Sequence, residues 1–330
     1  MHSNLRTVAL MFLLSGMFML IGWLIGGFFI GNWVLGALLF LVLASVMNFV
    51  AYFWAHKIVL WSYRARIVTE AEAPKLHRIV RRAAELSSLP MPKVALVPSQ
   101  TPNAFATGRN PKNAVVAATE GIMTLLDERE LTGVMAHEMA HVKDRDILVM
   151  SVAATLAGAI AFMARMFWYN LMWAPRGRDR QSGGADLILA VVVGITAPLA
   201  AMLVQFAISR SREYKADLVG ARNLGAPQAL ADALVKLEDA NRRKPFTRGN
   251  PASSSLFIVN PFRGSALASI FSTHPPMKER VRRLEALEAE MRGGGASASS
   301  TRRSRGGVSG LGPAPQGSFV IPPRGPGNSP

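Results

Sequence analysis

Long apolar runs separated by short polar breaks set the first pattern of this chain. Val8–Ile30 holds no charged residue. As a helix it spans about 35 Å, enough to cross a bilayer. Trp33–Ala55 repeats the pattern after only Gly31 and Asn32, so the two runs form a hairpin. Gly22 and Gly26 make a GxxxG spacing that fits close helix contact, and Asn48 inside the second run needs a partner on a neighbouring helix. Ile147–Ala164 is a third apolar run, and Leu187–Ile208, broken by Pro198, is a fourth.

Between the second and third runs the period changes. In Glu72–Ser88, Leu76, Ile79, Val80 and Ala83 fall on one helical face with arginines outside. Lys93–Pro98 and Asn113–Thr119 read as short strands, with Asn103–Gly108 between them. In Asp127–Val142, Leu131, Val134, Met135, Met139 and Val142 recur at helical spacing, and Asp127 with Glu130 forms a capping box at its start. Pro227–Asn241 is a further helix. Pro275 and Pro276 open another, in which Met277, Val281, Leu284, Leu287 and Met291 share a face. From Gly293 onward the chain is Gly, Ser, Pro and Arg with no acids, the composition of a disordered tail.

Half of the 330 residues are hydrophobic and the formal net charge is +16. A chain this basic is matched to nucleic acid or to an anionic membrane surface. The apolar runs favour the anionic bilayer, and no nucleic-acid motif appears. There is no cysteine, which excludes disulfides, thiol nucleophiles and thiolate metal sites. A transporter or channel would need charges inside the spans, and the runs carry essentially none. Arg6 before the first hairpin and Lys57, Arg64 and Arg66 after it place both its ends in the cytoplasm. The loop between runs three and four opposes that rule, with Arg165, Arg176, Arg178 and Arg180 against Asp179 and Asp186. Either the first hairpin fixes the topology or the second is re-entrant; full crossing is the expectation.

The chemistry centres on His137-Glu138-Met139-Ala140-His141. Histidines four apart on a helix project from one face, where both can hold one divalent metal. The glutamate beside the first histidine can accept a proton from water held there. A catalytic zinc takes a third protein ligand, and cysteine is excluded. Ser209–Asp217 offers Glu213 and Asp217 four apart on one helical face. Glu213 is the expected ligand, and Asp217 the partner that orients His137. Asp144 and Asp146 compete, but they follow His141 too closely to swing back. A closed structural metal site in a membrane scaffold is the rival reading, and Glu138 argues against it. An edge strand commonly pairs with substrate in such peptidases, and either Asn103-Ala104-Phe105 or Val115–Ala118 would serve. The patterns together predict a mainly α membrane protein with about four transmembrane helices and a zincin-like α+β catalytic domain with a short sheet. Its segments are 1–60 (first hairpin), 61–146, 147–209 (second hairpin), 210–292 and a tail at 293–330.

The motifs His137–His141, Ser209–Asp217, Ser272–Pro276 and Asn103–Gly108, in that chain context, resemble the HtpX family of bacterial membrane-bound zinc metalloproteases, relatives of the CAAX prenyl endoproteases. The resemblance covers residues 1 to about 290. It implies a gluzincin fold with one Zn2+ on His137, His141 and Glu213, Glu138 as catalytic base, and His274 steadying the oxyanion. It further implies a multi-pass inner-membrane protein with its active site and both termini in the cytoplasm. The implied role is cleavage of damaged membrane proteins under stress, with prenyl-protein endoproteolysis as the alternative.

Overall fold

The computed structural model describes residues 2–173, 210–243, 256–260 and 275–303. Helix α1 (His2–Ile25) ends in a π-helical turn, Gly26–Ile30, and α2 (Trp33–Ser62) returns antiparallel to it. The two pack closely because neither carries a side chain at the crossing. A Cβ on Gly22 would come within 2.5 Å of the Gly36 carbonyl, and one on Gly26 within 2.5 Å of the Gly36 Cα. Asn48 donates to the Met11 carbonyl at 3.1 Å and to Ser15 Oγ at 2.9 Å, so its NH2 group is satisfied across this interface while its buried Oδ1 has no partner among the described residues. Among the described residues these are the two helices long and apolar enough to cross a membrane. The third expected span begins α6 (Asp146–Trp173), whose apolar part, Asp146–Ile160, is shorter. Leu187–Ile208, the fourth, lies outside the described residues.

The catalytic part begins with β1 (Arg66–Ile67) and α3 (Pro74–Leu86), followed by β2 (Lys93–Val97), β3 (Ala104–Gly108) and β4 (Ala114–Thr119). The sheet order is β1-β2-β4-β3, with β2 and β4 parallel and the other pairs antiparallel. The strands read as continuous apolar runs because both sheet faces are covered. Ala95, Val97, Phe105, Val115 and Ala117 face the membrane helices and α6. Val94, Ala104, Ala106, Ala114, Val116 and Ala118 face α3, α5 (Glu128–Lys143), α7 (Arg210–Leu224), α8 (Pro227–Arg243) and the start of α9 (Met277–Arg303). A short helix, α4 (Glu120–Leu125), leads from the sheet toward α5.

Helix α5 starts where the sequence places it: the Asp127 side chain accepts from the Glu130 N–H while the Glu130 side chain accepts from the Asp127 N–H. Arg145, with φ of 59°, turns the chain sharply from α5 into α6. Helix α9 runs past Gly293 to Arg303 rather than ending where the composition turns to glycine and serine. Each glycine in that stretch opposes the helix by about 1 kcal/mol, and nothing in the structure explains the extension.

Candidate metal centre

Two helices build the centre. Helix α5 presents His137 and His141 one turn apart, their rings 4.8 Å between centroids and nearly perpendicular. Helix α7 presents Glu213 and Asp217, also one turn apart, and next along that face comes Gly220. A Cβ there would sit 2.8 Å from the His137 backbone nitrogen. Only a glycine permits α7 to lie this close to α5.

The geometry converges on one point. His141 Nε2 lies 3.3 Å from Glu213 Oε1, and His137 Nε2 lies 3.8 Å from Glu213 Oε2. All three side chains are buried, and one ligand atom from each falls within 4.8 Å of the others. Ligands about 2.1 Å from a tetrahedral zinc stand about 3.4 Å apart, so these spacings fit a single ion. The charges fit it too. Glu138, Asp146, Glu213 and Asp217 are all buried, and these carboxylates outnumber the neighbouring guanidiniums of Arg212 and Arg280. A bound cation would balance the excess. Burial opposes charge on His141, yet Glu213, Asp146 and Glu138 push it up to about 10. On His137 burial prevails over Asp217 and holds the imidazole below its usual range.

Behind each imidazole stands a carboxylate. His137 Nδ1 lies 2.9 Å from Asp217 Oδ1, off the ideal hydrogen-bond angle. His141 Nδ1 lies 3.6 Å from Asp146 Oδ2. Asp146, weighed above as a rival ligand, therefore sits on the far side of the ring, held by Arg212 at 2.8 Å. Asp144, the other rival, pairs with Lys215 at 2.6 Å near the surface. Arg280 is the residue the sequence reading missed. It is wholly buried and donates twice to Asp217, at 2.8 and 2.7 Å, and once to the Ile258 carbonyl at 2.7 Å. Burial alone would raise the Asp217 carboxyl, but Arg280 and His137 hold it down at about 2. One signal was available: Arg280 follows Met277 by three and precedes Leu284 by four, so it lies on the apolar stripe of α9.

Glu138 faces strand β3. The Ala106 N–H donates to its carboxylate, while burial and Glu213 raise that carboxyl to about 7. Along β3, Ala104 and Ala106 turn their backbone groups away from β4. The Ala104 carbonyl accepts from Ile258 N–H at 3.3 Å, and the Ala104 N–H donates to the Asn103 side chain at 3.0 Å. Asn103 is itself committed to Thr119 and to the Val259 carbonyl. Phe105 points into the core against Tyr63 and Phe257. The alternative stretch, Val115–Ala118, is a central strand with neighbours on both sides, so it has no free edge. His274 lies outside the described residues.

A peptidase family M48 model matches residues 70–288, two thirds of the chain and the whole of the centre just described. The chain belongs to peptidase family M48. Full-length relatives agree. A protease HtpX homolog from Thermococcus kodakarensis is 50% identical over 287 residues, covering 87% of this chain and 97% of the relative. Another from Syntrophotalea carbinolica is 52% identical over 284 residues, covering 86% and 98%. The crystal structure of S. mikatae Ste24p is similar at a TM-score of 0.46 and 18% identity, covering 85% of this chain and 65% of that one. This M48 protein is an HtpX-type membrane metalloprotease, and the two N-terminal apolar helices agree with that family.

Proposed function

We propose that this M48 enzyme cleaves membrane proteins at the cytoplasmic face of a bacterial inner membrane, with one zinc ion held by His137, His141 and Glu213. The convergence of those three buried side chains on one point is the observation that carries the reading. When bound, the zinc supplies Lewis acidity and brings the pKa of its water to about 7.

The chain's own groups do the rest. Glu138 takes a proton from the attacking water and hands it to the leaving amine. Asp217 and Asp146 hold the two imidazoles from behind, and Arg280 and Arg212 hold those carboxylates in turn. Ala106 turns its backbone away from β4 next to Glu138, and with its N–H given to Glu138 its carbonyl is the group to which an extended substrate pairs, one residue beyond the Asn103–Phe105 stretch, whose groups are engaged. His274 is assigned the oxyanion on the family resemblance alone. Cleavage of an unfolded membrane protein in detergent, assayed with and without chelator, tests the reading. Activity that survives complete metal removal overturns it.

A further inference from the structure

Helix α2 is longer than the bilayer it crosses. Its residues Trp33–Ser62 extend about 45 Å, against about 30 Å of hydrocarbon. Exposed aromatic residues mark where the membrane ends. Trp33 stacks near Trp23 at one end, and Tyr52, Phe53 and Trp54 are exposed about 30 Å further along. The last turns of α2 therefore stand in the headgroup layer and beyond.

A cluster of cations gathers at that level. Lys57, Lys93 and Arg109 lie close enough to His56 to bear on its charge. The Arg109 guanidinium sits 5.6 Å over the Phe53 ring, and Lys57 follows Phe53 by one helical turn. None of Lys57, Lys93 and Arg109 pairs with a carboxylate among the described residues. Cations gathered without counter-ions at a headgroup depth are matched to an anion from outside the chain.

An apolar groove of about 590 Å³ lies beside this cluster, between α2 and α6. On α2 it is lined by Val46, Val50, Ile58 and Trp61, and on α6 by Ala154 and Phe162. Val46, Val50 and Trp61 share the helical stripe of Lys57, and Trp61 is 81% exposed.

We propose that the α2–α6 groove binds one anionic phospholipid, an acyl chain lying along Val50 and Val46 toward the bilayer centre and the phosphate held by Lys57 and Arg109. A hydrophobic segment of a substrate fits the charges less well, because cytoplasmic flanks of membrane segments are themselves basic and Lys57 and Arg109 repel them. The lipid would brace α6 against α2, and α6 meets the sheet where Ser151 and Thr107 share a hydrogen bond of 2.8 Å.

Native mass spectrometry of the full chain in detergent tests this, with phosphatidylglycerol or phosphatidylcholine of identical chains added. Wild-type protein should retain one phosphatidylglycerol in preference to phosphatidylcholine. Removing both cations in Lys57→Ala/Arg109→Ala should weaken that retention about 30-fold, at roughly tenfold or less per charge. Val50→Phe, which fills the groove from an exposed position, should lower retention of both lipids. Bound zinc per chain, measured alongside, should stay at the wild-type value in every variant and so separates lost binding from lost fold. Glycerol phosphate, which carries the charge without chains, should not compete. Equal retention of the two lipids overturns the proposal, as does a preference unchanged in the double variant. Displacement by a basic-flanked hydrophobic peptide at lower concentration than either lipid also overturns it, assigning the groove to substrate.

Discussion

At the scale of single residues, the proposed mechanism separates holding the metal from moving the proton. Glu138→Gln removes the base but no ligand. The variant should keep its zinc and lose cleavage by about 10²–10⁴-fold, read by metal analysis beside a peptide assay; full activity would discard the mechanism. His137→Ala or Glu213→Ala should lose metal as well. The acid limb of kcat/KM follows from Glu138, which must be ionised to accept a proton. Burial and Glu213 raise it to about 7, and a cation at the centre pulls it down again. Activity should thus be lost as pH falls, with an apparent value below 7; a limb above 7 in the zinc enzyme contradicts this. Arg280→Met strands Asp217 in the interior. A broken buried pair costs about 3–5 kcal/mol, and a lost support behind a ligand costs about 10–100-fold in metal affinity. Arg280→Lys should recover little, because one ammonium cannot replace two parallel hydrogen bonds. Thermal unfolding with a chelator-competition titration measures both effects. The cluster of His137, His141 and Glu213 was legible because i, i+4 spacing limits what two side chains on a helix can do. Arg280 was not, because an arginine between Glu279 and Val281 reads as solvated until the packing of α9 is known.

At the scale of elements, the HExxH helix was legible to its cap, since Asp127 and Glu130 make a local device that needs no tertiary contact. The sheet was only partly so. Two strands were visible as bounded apolar runs, but β3 lacks the alternation of a half-buried strand, both of its faces being covered. Strand order was invisible too, and it decides which stretch has a free edge. The contact of α7 with α5 was likewise hidden, for it depends on a missing Cβ. Gly220→Ala puts a methyl under 3.0 Å from the His137 and Ala136 backbone, where no side chain can swing away. Helix α7 must then shift and carry Glu213 with it. The expected cost is about 1–3 kcal/mol in stability, together with weaker zinc retention during dialysis against chelator. Wild-type values of both would show that the helices have slack the geometry denies.

At the scale of the whole molecule, the open matter is how the second apolar pair is threaded. Helix α6 leaves the centre at Asp146, packs along α2, and extends about 42 Å before Trp173. That is more than the hydrocarbon thickness, and the chain must return to Arg210 on the side of the centre, because Glu213 faces the histidines of α5. We propose a full crossing on that ground, which would put Ser182 on the far side, although the apolar part of α6, Asp146–Ile160, is itself shorter than a span. The arginines of that loop oppose this by the positive-inside tendency, which is strongest for short loops. On this proposal the first hairpin outweighs them, since Arg6 and the cations after α2 act before the loop is made. A chain without cysteine makes the test clean, because any introduced thiol is the sole label. Ile30→Cys and Ser182→Cys should both react with a membrane-impermeant maleimide on intact cells, and Glu128→Cys only after permeabilisation. Protection of Ser182→Cys with labelling of Ile30→Cys would make the second pair re-entrant. The centre would then draw α5 and α7 from a helix pair that enters and leaves the bilayer on one face.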